Sequence, residues 1–320
     1  MKLITLLLVG AAALQLSGCG LAKATGIMKD PPPNTVVELK VNGEKAFRDS
    51  EVLVVPTFYL RLPVDGSASA VSDKNVFSSD TSNARVSMKY KINGLDKALA
   101  QEIAKTAYAD FVAKLRAAGY TVRTFDDIKD QITEVSRYKK DEAYGLPVDA
   151  GQLIVTPTDE MAINPGFGGN VVAPYQKRGK SMLKEGTLIV PTFVLASPLA
   201  RPETSGSTAK LTLFPAMAMT QGNVAFLTHG GAWGGANLKK WVFGLSDNVG
   251  KVEKTADTSP AVANALTKTF AVLAGVGGTN RKSSNWTMTI DPVAYREGAL
   301  KGLTQFNDEM GKVAAAAKKS

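Results

Sequence analysis

Val52-Leu53-Val54-Val55-Pro56-Thr57-Phe58-Tyr59-Leu60-Arg61-Leu62-Pro63 begins as an apolar run and continues as an alternation, with Phe58, Leu60 and Leu62 set against Thr57, Tyr59 and Arg61. Such a pattern reads as a buried strand. The stretch returns later in the chain, because Val55-Pro56-Thr57-Phe58 followed by Leu60 and Pro63 matches Val190-Pro191-Thr192-Phe193 followed by Leu195 and Pro198 at a single offset. Two equivalent strands in two related halves would produce this echo, and chance similarity of two apolar strands is the alternative. In both copies a proline removes one ladder donor. Prolines of this kind are tolerated at sheet edges and bulges, so both strands are expected near a border.

Working outward, Val36 to Val41 reads as a short strand, and Val64 to Asn83, rich in Ser, Asp and Gly, as a loop. Arg85 to Asn93 alternates without a break, Val86, Met88, Tyr90 and Ile92 on one face. Asn93 and Gly119 then bracket a helix striped by Leu95, Leu99, Ile103, Ala107, Phe111 and Leu115. Tyr120 to Phe125 is a strand, after which Asp126 or Asp127 caps a second helix carrying Ile128, Ile132 and Val135. Further on, Lys210 to Met219 and Asn223 to His229 form a hairpin with Gln221-Gly222 near its turn. Lys240 to Leu245 and Trp286 to Ile290 add strands. Pro260 starts a helix with Val262, Leu266, Phe270 and Leu273 inward, and a last helix runs from about Val293 to Ala317. The expected fold class is therefore α+β: mainly antiparallel or mixed sheets packed with several long helices, with two related halves as one arrangement.

The N-terminus carries a different kind of signal. Lys2, the apolar run Leu3 to Leu14, and Leu16-Ser17-Gly18-Cys19 follow the order of a secretory signal, and the apolar run is too short to span a membrane. This end resembles the lipobox of bacterial lipoprotein signal peptides. The resemblance implies that Cys19 is lipidated, that cleavage precedes it, and that the new N-terminus is acylated. Gly20 behind the cysteine implies sorting to the outer membrane. Pro31-Pro32-Pro33 reads as a semi-rigid spacer. The expected organisation is a signal peptide over 1–18, a lipidated Pro-rich tether over 19–34, a first α/β half over 35–180, and a second α/β half with the C-terminal helix over 181–320.

Composition narrows the chemistry. The 320 residues include one cysteine and one histidine, so an intramolecular disulfide is impossible and the usual zinc sites are excluded. Formal charge is +9, which draws a periplasmic protein toward anionic headgroups and cell-wall carboxylates. The cations are spread along the chain, and nucleic acid is not an expected partner.

Three constellations invite a catalytic reading. Thr228-His229-Gly230-Gly231 resembles an oxyanion-hole string, but the second histidine and the Gly-x-Ser-x-Gly elbow are missing. Gly275-Val276-Gly277-Gly278-Thr279-Asn280-Arg281-Lys282-Ser283 resembles a phosphate loop, but Arg281 stands where a glycine is required, so a glycine-rich turn after a helix is expected. Asp126, Asp127, Asp130 and Glu134 offer paired carboxylates of the kind glycoside hydrolysis uses, and equally the polar face of a helix. Asn164 to Asn170 is a glycine-rich loop of the sort that carries binding. Trp233, Trp241 and Trp286 are candidates for stacking on sugars or for anchoring the core.

In plan, the body is similar to the curli secretion-channel lipoproteins and related periplasmic α/β modules. The corresponding elements are Val52 to Val55, the helix ending Phe111-Val112-Ala113-Lys114-Leu115-Arg116-Ala117-Ala118-Gly119, and Tyr120 to Phe125 with Asp126-Asp127 behind it. No functional residue carries over from this likeness. The expected function is that of a non-enzymatic, lipid-anchored adaptor or structural subunit of an outer-membrane or cell-wall-associated assembly, facing the periplasm. A carboxylate-dependent hydrolase of envelope polymers is the alternative. Expected partners are the membrane, through lipidated Cys19, then an envelope protein, peptidoglycan, or a second copy of the chain. No cofactor, metal or catalytic residue is expected.

Overall fold

The computed structural model describes residues 35–71, 85–132, 135–166, 170–177, 180–181, 186–205, 208–256, 272–277 and 281–319. Cys19, the signal and the tether lie outside the described residues. Chain order begins β1 (Leu39–Asn42), α1 (Lys45–Arg48), β2 (Val52–Val55), β3 (Tyr59–Pro63), β4 (Asp65–Val71) and β5 (Arg85–Asn93). It continues with α2 (Lys97–Ala117), β6 (Thr121–Thr124), α3 (Phe125–Ile128), β7 (Val148–Asp149), β8 (Gln152–Val155), β9 (Gln176–Lys177) and β10 (Lys180–Ser181). Then come β11 (Thr187–Ala196), β12 (Leu199–Ser205), β13 (Thr208–Phe214), β14 (Met217–Leu227), β15 (Trp233–Leu238) and β16 (Val242–Ser246). β17 (Gly250–Ala256), β18 (Val272–Gly277), β19 (Arg281–Ile290) and α4 (Pro292–Lys319) complete it.

A ten-stranded sheet forms the centre, with the path β1-β15-β14-β11-β3-β8-β7, β2 and β6 extending it beside β11, and β16 beside β14. Residues 35–180 and 181–320 thus interleave in one sheet. At one end the chain leaves it as hairpin arms, which build a three-stranded sheet β12-β13-β18 and a four-stranded sheet β17-β19-β5-β4. The inward residues Val86, Met88, Tyr90 and Ile92 of β5 join the same apolar core as the central strands.

Both Val-Pro-Thr-Phe segments sit in the middle of the central sheet, which overturns the expectation of border strands. β11 lies between β14 and the pair β2 and β3; β2 lies between β11 and β6, and β3 between β11 and β8. The prolines are accommodated by an interruption instead. β11 pairs with β2 through Thr187 and Leu188 and with β3 from Thr192 onward, so Pro191 lies opposite the unpaired Pro56–Phe58 link, where a missing donor breaks no ladder. The register slips by one residue across this link. Leu53 and Val55 before it and Phe58, Leu60 and Leu62 after it therefore all reach the main core, although strict alternation would have sent Phe58 to the other face. Phe58 and Phe193 stack there at 4.9 Å between ring centroids. Packing explains the echo.

Two helices cover that face. In α2 the Asp96 carboxylate accepts the Leu99 N–H at 2.8 Å, and Gly119, at φ +94, follows the last turn. Ala100, Ile103, Ala104, Ala107, Phe111 and Leu115 form its buried stripe. α4 starts with Pro292 in the first turn, behind Asp291, whose carboxylate accepts from Val293 N and Ala294 N. Asn307, fully buried between the helices, donates to Ala107 O at 3.0 Å and to Asp110 Oδ2 at 2.8 Å.

Several expectations are corrected by this architecture. Among the described residues only α2 and α4 exceed one helical turn, and strand at 44% outweighs helix at 29%, so an α+β fold packed with several long helices does not hold. The helix expected after Asp126 is the single turn α3 plus a 3₁₀ turn. Thr124 starts it and Asp127 closes a capping box, yet Ile128 and Ile132 are held by the sheet and not by helical periodicity. Asp65–Val71, read as loop, is β4: its Ser and Ala residues have weak strand preference, but β5 supplies a full antiparallel ladder. Gln221 and Gly222 lie inside β14 and not at a turn. The glycine-rich run at Gly275 belongs to β18, which pairs with β13, so a strand and not a helix precedes 278–280. Leu273, expected on the helix that starts at Pro260, lies in β18, and the rest of that helix lies outside the described residues.

One ion cluster ties this framework to the loops. Asp159, in the turn after β8, receives Lys97 Nζ at 2.6 Å, Lys140 Nζ at 2.5 Å and Gln101 Nε2 at 2.9 Å. Partial burial alone would raise its pKa, but these donors outweigh it and hold the carboxyl below its ordinary value. A lowered folded-state pKa adds stability that is complete above the unfolded value of about 4 and is lost as pH falls through the folded one. Denaturant unfolding of Asp159→Asn and wild type at stepped pH is expected to show a difference at neutrality that vanishes toward pH 2. A difference that stays constant with pH would mean that charge pairing at Asp159 contributes nothing.

Candidate functional site: the open half-face of the central sheet

The face of the central sheet turned away from α2 and α4 is covered over only part of its width. Over β2, β3, β8 and the first half of β11 lies the irregular chain between Phe125 and Gln176. There Val54, Tyr59, Ile154, Leu188 and Val190 pack against Phe125, Ile128, Ile163 and Tyr175. The Tyr59 hydroxyl donates to Ile163 O at 2.6 Å and Thr57 Oγ1 to Met161 O at 2.8 Å, anchoring the cover to the strands. Burial pushes the Tyr59 phenol well up, and pushes that of Tyr108, which donates to Val55 O, up to about 12. These phenols are neutral structural donors at physiological pH.

The cover reaches the end of β14, where Leu227 is fully buried and Ala225 partly so, and beyond these the face carries polar side chains. Cross-strand registers place Tyr59, Thr192, Asn223, Asn237 and Lys40 in one row over five strands. At about 4.8 Å per strand the row spans roughly 19 Å. Asn223 Nδ2 donates to Asn237 Oδ1 at 2.5 Å, so the two amides are coupled. One row further, Gly235 faces Ala225 and Asn42. Gly235 is itself buried, and a Cβ on it would stand 3.9 Å from both amide nitrogens and 3.0 Å from Val224 O. Two residues before Gly235, on the same face by the strand period of two, Trp233 is 48% exposed.

The other tryptophans are committed elsewhere. Trp286 is buried, donating to Ser284 Oγ at 2.8 Å with Lys254 over its ring, and Trp241 leans on Phe243. The charge on the open face is cationic. Lys40 is exposed at the end of the row, where Glu38 is engaged with Lys239 at 3.9 Å; Asp149, engaged with Arg61 at 3.2 Å, lies in β7 at the opposite edge of the sheet.

The residues singled out from sequence are dispersed. Asp126, Asp127 and Asp130 are exposed; Asp127 Oδ2 accepts from Thr124 N at 2.6 Å and from Thr124 Oγ1 at 2.9 Å, and these bonds hold its carboxyl below the usual range. A capping acid with a lowered pKa is the opposite of a general acid. Glu134 and residues 167–169 lie outside the described residues; Asn164 and Asn170 accept hydrogen bonds from Gly166 and Val172 as turn residues do. Among the described residues no three His, Cys, Asp or Glu side chains gather as metal ligands, and no carboxylate is buried. His229 is exposed in the β14–β15 turn, which Thr228 closes by accepting from Ala232 N at 2.9 Å. His229→Ala is expected to leave the unfolding free energy within about 0.5 kcal/mol of wild type, read from denaturant melts. A loss well above that would give the imidazole a structural task.

Lys40, Asn223, Gly235 and Asn237 were not legible as a group. A signal existed in Gln221, Asn223 and Ala225 alternating with Gly222, Val224 and Phe226, but it becomes readable only once the turn is placed at 228–232. No family model matches this chain, and no curated protein or solved structure matches it.

Proposed function

We propose that the chain is a non-enzymatic, lipid-anchored adaptor on the periplasmic side of the outer membrane, serving an envelope or cell-wall-associated assembly. The observation that carries this reading is the partly open face of the central sheet: a coupled amide pair and an exposed indole offer a contact surface, and among the described residues no carboxylate is buried. Cys19 supplies the anchor by its lipobox setting, and a diacyl anchor plus an acyl chain binds a bilayer durably because each buried methylene adds about 0.8 kcal/mol. The hydrolase alternative loses support, since Asp127 serves as a cap and Asp126 and Asp130 are solvated.

Density-gradient fractionation of the full chain and of Cys19→Ser tests the anchor. Wild type is expected with outer-membrane markers and the variant as an unprocessed or soluble form. An unmodified cysteine at the mature N-terminus by mass spectrometry would end the lipoprotein reading. Incubation with purified sacculi is expected to release no soluble fragments; steady release would restore the hydrolase.

A further inference from the structure

We propose that the outer face of the four-stranded sheet β17-β19-β5-β4 docks on a bilayer surface rich in anionic phospholipid headgroups, through Arg85, Lys89 and Lys91 of β5. This goes beyond the adaptor reading and does not rest on lipidation of Cys19. The alternation of β5 sends Val86, Met88, Tyr90 and Ile92 into the core and leaves Arg85, Lys89 and Lys91 exposed on the other face. Their strand neighbours on that face are short. Register places Ser87 beside Ser283 and Ser69, Lys89 beside Asn285 and Ser67, and Lys91 beside Thr287 and Asp65. At about 3.3 Å per residue along β5 and 4.8 Å between strands, the face from Arg85 to Lys91 measures roughly 20 by 14 Å.

The charge on this face is one-sided. Arg85, Lys89 and Lys91 make no ion pair among the described residues, and Arg281 stands in register with Arg85. The two acids on the face are committed: Glu253 pairs with Lys251 on β17, and Asp65 lays its Oδ1 over Gly151, where a Cβ would stand 2.3 Å from it. Three cations in line without a counter-charge raise a positive potential that an anionic surface relieves. A protein partner would need aromatic or aliphatic anchors at the centre of its contact, and this face has none there. Trp286, the indole of this sheet, is buried on the inner side, so a sugar ring finds nothing to stack on. The exposed apolar residue, Val71 at 44%, lies at the rim across from Arg85. A flat array of cations, hydroxyls and amides with one apolar side chain at its end fits phosphate headgroups spread over a plane, where each cation acts by charge and not by shape.

The test uses the full-length Cys19→Ser chain as parent, sedimented with vesicles of phosphatidylcholine alone and of phosphatidylcholine with one third phosphatidylglycerol. The apolar run Leu3 to Leu14 is common to every variant, so binding to neutral vesicles reports that run and the difference between the two vesicles reports charge. The parent is expected to bind the anionic vesicles more tightly and to lose the advantage in about 1 M salt, where the screening length is about 3 Å. Arg85→Gln, Lys89→Gln and Lys91→Gln together should weaken anionic binding by about a hundredfold, and Lys89→Gln alone by about fivefold. Lys105→Gln, Lys129→Gln and Lys139→Gln remove the same charge from exposed sites off this face and should change it by less than about threefold. Circular dichroism melts establish that each variant is folded, and Lys89→Gln alone keeps the test valid if the face triple misfolds. Equal binding to neutral and anionic vesicles overturns the proposal. So does a face triple that binds like its parent, or an off-face triple that loses as much, which would assign the effect to net charge. Outer-membrane fractionation through Cys19 is read separately on the wild-type chain, so failure of the vesicle test refutes the docking face and not the adaptor.

Discussion

Phe193→Ala is expected to lower the unfolding free energy by about 3–5 kcal/mol, the largest loss from any single truncation proposed for this chain. Phe193 is fully buried at the middle of the central sheet and touches two rings at once, Phe58 at 4.9 Å and Phe306 of α4 edge-on at 4.8 Å between centroids. Removing it leaves a cavity bounded by a central strand, its parallel neighbour and a helix, none of which can close the gap without disturbing a ladder. Domains of ordinary stability hold only about 5–15 kcal/mol, so the variant should melt far below wild type or fail to accumulate folded. Phe243→Ala, in a small satellite cluster, is the comparison and should cost much less. A loss at Phe193 no greater than at Phe243 would refute the central stack as the organising contact of the core.

The second large effect comes from its cross-strand partner. Gly222 lies opposite Phe193 in β14, and a Cβ there would stand 2.5 Å from Phe306 Cε2 and 2.8 Å from Cδ2. Phe306 occupies the space that a side chain at 222 would claim. The ring cannot withdraw without losing its edge contact with Phe193, so Gly222→Val should cost about 2–3 kcal/mol through overpacking. Shortening the intruding ring tests the cause: Gly222→Val with Phe306→Leu should be less damaging than the sum of the two single changes, measured as a double-mutant cycle. Strict additivity would place the cost in the strand backbone and not in the contact with α4.

Both effects depend on neighbours that sequence separation conceals. The alternation of Arg85 to Asn93 was readable as β5 to the residue, and the stripe from Leu99 to Leu115 as α2, because their side-chain periods of 2 and 3.6 are local and survive any packing; the start was misplaced, since Asn93 ends β5, Leu95 precedes the helix and Asp96 is the cap. The C-terminal helix was readable on the same ground. β4 was not, since Asp65-Gly66-Ser67-Ala68-Ser69-Ala70-Val71 has little strand preference of its own and extends because β5 pairs with it. The helix read after Asp126 failed for the converse reason. Its apolar residues fit helical spacing, but the sheet face beneath them takes up Ile128 and Ile132 from an irregular chain.

The candidate site divides along the same line. That Trp233, Trp241 and Trp286 were open to sugar stacking could be stated from residue type alone, but which of them is presented to solvent depends on the strands that flank each one. Sequence by itself settled the lone Cys19 behind an apolar run, the lack of any second histidine or cysteine, and the elements whose periodicity is internal, because composition and period are properties of neighbours along the chain. Tertiary structure decided that both Val-Pro-Thr-Phe segments are central, that Phe58 and Phe193 meet, and that Asn223 and Asn237 join across neighbouring strands. These follow from which distant strands pair and in what register, and a one-residue change of register exchanges core and solvent for every side chain on a strand.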